Sequence, residues 1–302
     1  METVVILIFV FIVGLCLGSF YNVVILRSLS GESIVFPPSK CPKCGNKLKP
    51  WHNIPVLSFV FLKGRCAFCN EKISFQYPTV ELITGILFCI IFNKFGISYT
   101  TIFALIWISC LIIMTVTDLK EKMVDCNYAI AMAIFGLVYL TVQTGLTGLI
   151  NSILGAVLGF IIVELIARAG YLIKKERAMG EADSYVAMAF GAIVGYQSVA
   201  WVLIYSLLIS MIVVLPMFWY NRYKNRDAMV LFLSAIFILS IAFTVYFSYA
   251  YWALALIILT GVLLAFYIIK KVKIESNLHY LPFVPALAGG FVYFLLFTNS
   301  FH

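Results

Sequence analysis

The chain has 302 residues, of which 63% are hydrophobic and 11% charged, with a formal net charge of +8. No soluble globular protein needs that much apolar surface, and apolar stretches of about 17–25 residues are the length that crosses a bilayer as helix. The basic residues fall in loops between such stretches, so the charge calls for no nucleic-acid partner.

In chain order the apolar segments run at about 3–26, 78–93, 99–117, 126–143, 146–169, 184–197, 198–219, 228–248, 249–269 and 280–299. They predict an all-α polytopic membrane protein of about 8–10 transmembrane helices, embedded in a lipid bilayer. The first segment lacks a basic stretch before it, and the positive charges follow it. That order fits a retained span better than a cleaved signal peptide. Lysine and arginine recur in alternate loops: Arg27 to Lys72, Lys120 and Lys122, Arg168 to Arg177, Arg222 to Arg226 and Lys270 to Lys273. With ten spans these loops share one side and only Lys94 lies on the other. The positive-inside rule makes the shared side cytoplasmic and puts both termini outside.

One segment, 27–77, is long and polar enough to fold outside the lipid, which divides the chain into a first transmembrane helix (1–26), a small cytoplasmic domain (27–77) and a polytopic membrane domain (78–302). Cys41 and Cys44 stand in CPKC, Cys66 and Cys69 in CAFC. Two CxxC knuckles at this separation are the spacing of a tetrahedral zinc site in a zinc-ribbon-like loop, and four thiolates leave no open position for substrate. Zinc here would be structural. Disulfides do not suit a cytoplasmic loop. His52 reads as a packing or surface residue, and Cys16, Cys89, Cys110 and Cys126 as packing residues in or beside apolar runs. No glycine-rich phosphate loop, HExxH or GxSxG pattern is present.

Two aspartates stand where apolar runs break into short charged stretches: Asp118 in TDLKEKMVD and Asp183 in GEADSY. Two apolar segments separate them, so an even number of crossings returns both to one water–lipid boundary. A carboxylate pair there has the makings of aspartyl hydrolysis. Charge pattern alone favours two solvated loop residues, since both stretches are rich in ordinary interfacial charge. Glu164 lies deeper in its segment, with Arg168 four residues on as a helical ion-pair partner.

Several stretches together resemble the type IV prepilin peptidases, bifunctional leader peptidases and N-methyltransferases of the GxGD aspartyl protease type. GSFYNVVILR (Gly18 to Arg27) is similar to that family's first-helix signature, and Cys41 to Gly85 to its cysteine-bearing loop. TDLKEKMVD and GEADSYVAMAFGAIVGY resemble its two aspartate motifs, and LPFVPALAGG (Leu281 to Gly290) its last-helix Pro-Phe motif. Against the family pattern, Ala182 replaces a glycine, Tyr185 a lysine and Val124 a proline, and a hairpin near 228–269 looks additional.

The resemblance implies Asp118 and Asp183 as the catalytic pair and Cys41, Cys44, Cys66 and Cys69 as the tetracysteine set. It implies a prepilin or pseudopilin substrate with a basic leader and a hydrophobic N-terminal helix. That substrate would be cut after a glycine at the cytoplasmic face of the bacterial inner membrane. It implies that the new N-terminus is then methylated from S-adenosylmethionine. No Rossmann-type loop offers to bind this cofactor. Asn22 in the first motif and Glu81 in PTVELITG are candidates for that half of the chemistry. The competing expectation is a non-catalytic pilus-assembly scaffold or transporter on the same framework.

Overall fold

The computed structural model describes residues 2–174, 180–224, 229, 232–236, 239, 260, 283–298 and 301. The expected spans at 228–248 and 249–269, with the additional hairpin they would form, lie mostly outside the described residues. Within them the chain is helical: α1 (Glu2–Ser30), α2 (Leu57–Phe61), α3 (Gln76–Phe95), α4 (Tyr99–Glu121), α5 (Cys126–Thr144), α6 (Leu146–Lys174), α7 (Glu181–Val194), α8 (Val199–Lys224) and α9 (Val284–Phe297). Among the described residues there is no strand, only two isolated antiparallel bridges, Lys40 with Lys47 and Arg65 with Lys72.

Five helices are long and apolar enough to cross a bilayer among the described residues: Thr3–Ser30, Gln76–Phe95, Tyr99–Glu121, Cys126–Thr144 and Leu146–Ala169. The helices α7 and α9 have 14 residues each, about 21 Å against a hydrocarbon core of about 30 Å. The chain divides into two compact units. One holds Met1–Glu164, Glu181–Ser206 and Pro282–His302; the other holds Leu165–Gly180 and Leu207–Leu281. Every contact described below lies inside the first.

Short, well-capped connections make consecutive helices antiparallel. Gly96 takes φ 60° after α3, and the Ser98 hydroxyl then accepts from the Thr101 N–H to start α4. Lys122 closes α4 in a left-handed conformation, its N–H bonded to the Asp118 carbonyl, and Asp125 caps α5 by accepting from the Asn127 N–H. These caps satisfy backbone groups that lipid cannot.

Apolar side chains gain nothing from one another over lipid, so small residues that let backbones touch set the crossings. A Cβ built on Gly14 would lie 2.7 Å from the Cα of Gly85, and one on Gly18 would lie 2.8 Å from that of Glu81, so α1 and α3 meet backbone to backbone. Gly155 and Gly159 in α6 do the same against Gly191 and Ala187 in α7. The Ser152 hydroxyl adds a bond to the Ala192 carbonyl at 2.7 Å. Cys16 departs from its expected packing role: it is exposed on α1.

The short helix α9 is held at both ends by other helices. At its C-terminus the Lys94 ammonium, from the end of α3, donates to the carbonyls of Leu295, Leu296 and Thr298 at 2.8, 2.9 and 2.8 Å. A cation there meets the negative end of the helix dipole. Trp107, Tyr139 and Phe301 cluster at the same end, with Trp107 and Tyr139 ring centroids 5.2 Å apart.

Candidate active site and metal centre

The cysteine loop forms two matching turns offset by 25 positions, from Cys41 to Cys66. In the first, the Cys41 N–H donates to the Asn46 carbonyl and the Cys41 carbonyl accepts from the Gly45 N–H. In the second, the Cys66 N–H donates to the Glu71 carbonyl and the Cys66 carbonyl accepts from the Asn70 N–H. Gly45 and Asn70, the residues after each CxxC, both take positive φ, 71° and 56°. That region is open to glycine and tolerated by asparagine.

The four thiols gather with all Sγ atoms within 4.8 Å of one another, and Cys41 Sγ lies 3.9 Å from Cys69 Sγ. A tetrahedron with zinc–sulfur bonds of about 2.3 Å has edges of about 3.8 Å, so the cluster fits this ion. Backbone N–H groups of Phe68 and Cys69 pull the Cys66 thiol down to about 7, towards the thiolate that a metal takes. His52 stays out of the cluster, its ring edge-on to Phe68 at 5.5 Å.

Asp118 ends the apolar stripe of α4 and is 3% exposed, which rules out the solvated-loop reading for its side chain. Its Oδ2 accepts from the Val284 N–H at 3.1 Å. Val284 is the first residue of α9, and Pro285 after it has no N–H. The next two amides, of Ala286 and Leu287, both turn back to the Phe283 carbonyl. Asp118 therefore caps α9 through the N–H of its first residue, reaching it across the fold. An anionic side chain there meets the positive end of the helix. Of the Pro-Phe motif, Phe283 to Gly290 are described, and they form this capped start.

Asp183 lies in the first turn of α7 and is 2% exposed. The contacts fix the direction of α7. Its end packs by the start of α6, where Asn151 Oδ1 accepts from the Tyr196 N–H at 3.0 Å. Its start therefore lies at the end of the bundle where α4 finishes. Phe190 of α7 stacks on Phe291 of α9 with centroids 4.7 Å apart. Each ring lies seven residues beyond Asp183 and Val284 respectively, about 10.5 Å along its helix. Asp183 and the amide that holds Asp118 are thus at one level, at the same end of the unit.

A third carboxylate reaches the first turn of α7, beside Asp183 in the chain. Glu164, assigned from sequence to pairing with Arg168, accepts from the Ser184 hydroxyl at 3.0 Å. Periodicity could have placed Glu164 on a helix face, but nothing in the sequence paired it with Ser184, 20 residues away. The departures from the family pattern also find places. Ala182 sits in the helical first turn of α7, where no glycine-like φ is needed. Tyr185 packs edge-on against Phe160 at 5.7 Å. Asp125 is occupied as the cap of α5.

Asn22 and Glu81 are buried, at 1% and 6% exposure, where α1 and α3 face each other. Asn22 donates to the carbonyls of Gly18 and Tyr77 at 3.3 and 3.1 Å and accepts from Gln76 Nε2 at 3.5 Å. Glu81 Oε2 accepts from the Val56 N–H at 2.7 Å. Glu81 ties the cysteine loop to α3, and Asn22 ties α1 to the first turn of α3.

Comparison with known proteins gives a consistent family. Residues 12–95 match the Bacterial Peptidase A24 N-terminal domain, and residues 105–216 the Type IV leader peptidase family. A Myxococcus xanthus protein named prepilin leader peptidase/N-methyltransferase is 34% identical over 199 residues, 66% of this chain but only 59% of the relative's length. Proteins of the same name from Neisseria gonorrhoeae and Bacillus subtilis are 31% and 36% identical, over 68% and 66% of this chain and 80% and 78% of theirs. No solved structure matches.

Proposed function

The chain belongs to the type IV leader peptidase family, and on that premise we propose that it is a membrane-embedded aspartyl endopeptidase that removes the leader of prepilins or pseudopilins. Asp118 and Asp183 are its catalytic pair. The observation that carries this reading is their shared position: both are buried at one end of the unit, level with the capped start of α9. Basic loops on that side argue for the cytoplasmic face of a bacterial inner membrane.

In this reaction one carboxylate takes a proton from water while the other carboxyl hydrogen-bonds the scissile carbonyl. The water oxygen bonds to the carbonyl carbon, the C–N bond breaks, and the departing amine takes up a proton. The Val284 N–H holds Asp118 in place without occupying its second oxygen. Pre-set geometry of this kind is where most of an active site's advantage lies.

We assign the second activity, N-methylation of the new N-terminus, to the junction of the cysteine loop with α1 and α3. S-adenosylmethionine supplies the methyl group when bound. Cys41, Cys44, Cys66 and Cys69 would hold a structural zinc that orders this loop. Asn22 and Glu81 serve this half as positioning residues, because their polar atoms already bind Gly18, Tyr77, Gln76 and Val56.

The test is purified protein in detergent with a labelled prepilin and S-adenosylmethionine, read by product mass. Loss of the leader plus a gain of one methyl group supports the whole reading. Asp118→Asn and Asp183→Asn should each abolish cleavage while the protein still inserts. Prepilin that binds but stays intact with the native chain would mark an assembly scaffold instead.

A further inference from the structure

Outside the candidate site, the cysteine loop carries an apolar surface that its own fold leaves uncovered. Leu57, Val60 and Phe61 of α2 are 54%, 63% and 80% exposed, and Phe75 is 76% exposed. Leu57, Val60 and Phe61 share one face of α2, while the half-buried Phe59 turns away from them, its ring 5.2 Å from that of Phe75. In a water-soluble loop this would be costly, since contiguous exposed apolar patches mark an interaction surface.

The depth of α2 follows from a single hydrogen bond. Val56, the residue before α2, gives its N–H to Glu81. Glu81 is the sixth residue of α3, about 7.5 Å along that helix from Gln76. With 20 residues, α3 is about as long as the hydrocarbon core is thick. The start of α2 is therefore held beside a spanning helix, below the level at which that helix enters the membrane. Val56 takes φ 60° there, a conformation a β-branched residue adopts only when its surroundings impose it. Around the patch the charge is one-sided: residues 31–75 contain seven Lys or Arg against Glu32 and Glu71. Lys63 and Arg65, directly after α2, are exposed.

We infer that α2 and Phe75 form a re-entrant foot of the cysteine loop that lies in the inner interface of the bilayer. Its apolar side chains sit among lipid acyl chains, and Lys63 and Arg65 lie against anionic headgroups. An apolar face with a basic rim is the pattern of segments that lie in the interface rather than cross it. The foot would fix the height of the tetracysteine cluster above the membrane, independently of whether the aspartates cleave anything.

A photoreactive p-benzoylphenylalanine placed at Phe61 in the full chain, reconstituted in phosphatidylcholine–phosphatidylglycerol vesicles, tests this. The same probe at Ile90, exposed in mid-span, sets the lipid-adduct yield, and at Asn46, exposed in the first knuckle, the aqueous background. Lipid adducts at Phe61 should approach the Ile90 yield and exceed the Asn46 yield about tenfold. Lys63→Glu with Arg65→Glu should lower the Phe61 yield severalfold while leaving Ile90 unchanged. A Phe61 yield equal to that at Asn46, or adducts mainly to protein, would overturn the inference. So would indifference to the charge reversal, for the headgroup contact.

Discussion

Replacing Lys94 with Met removes the ammonium that closes α9 and leaves its length and apolar stem in place. Three carbonyls, those of Leu295, Leu296 and Thr298, then lose their donor at once. A hydrogen bond from a charged group contributes about 1.5–3 kcal/mol when well buried, and a cation at a helix C-terminus about 0.3–1 kcal/mol. The three share one ammonium and do not add, and partial exposure of Lys94 lets water replace part of the loss. The expected net cost is roughly 1–3 kcal/mol, enough to lower the unfolding midpoint by several degrees. Thermal unfolding in detergent, followed by tryptophan fluorescence, reads it directly, because Trp107 packs against Phe291 of α9 at 6.3 Å. Lys94→Arg should recover most of the loss. A Lys94→Met midpoint equal to the native one would mean that α9 needs no cap and that this electrostatic account is wrong.

Asp118→Asn should lower cleavage by at least about a thousandfold with insertion intact, measured by leader release from a labelled prepilin; activity within tenfold of native would refute the pairing with Asp183. Gly18→Val should destabilise the α1–α3 crossing, since its side chain would strike the Glu81 backbone, and the expected loss of several degrees in unfolding midpoint should be matched by Gly155→Val at the α6–α7 crossing. About one zinc per chain should be found by elemental analysis and be lost in a Cys41→Ser, Cys66→Ser double variant, with methyl transfer falling more than cleavage. In metal-free protein the Cys66 thiol, lowered from 9.0 to about 7, should react with iodoacetamide with a midpoint near the lower value. Because its folded value is the depressed one, its contribution to loop stability is complete above pH 9 and is lost as pH falls through 7. A midpoint near 9 would remove the amide effect.

Local signals were readable from the sequence and distant ones were not. The cysteine spacing and the breaks in apolar runs at Asp118 and Asp183 are local, and so were found. The N–H that holds Asp118 belongs to a residue 166 positions away, and the carbonyls that hold Lys94 lie 201 to 204 positions away. No periodicity marks such pairs. Lys94 looked only like a topological exception to the positive-inside pattern, yet its charge has a structural use. Charge pattern favoured solvated aspartates because it counts neighbours in the chain, whereas both side chains are buried by neighbours in space. Glu81 stands in the sequence only as a candidate for the methylation half, because the strained Val56 that it binds has nothing unusual about it in the sequence.

Val284 is translated 166 residues after Asp118. At about 5–20 residues per second, a ribosome needs roughly 8–33 s to supply it. Asp183 follows Asp118 by 65 positions, so for the last 101 positions, about 5–20 s, the half-made chain carries both aspartates without the backbone amide that fixes the first. A nascent copy thus lacks the amide that sets Asp118 until α9 arrives, so the arrangement of the two aspartates is completed by one of the latest parts of the chain to be made.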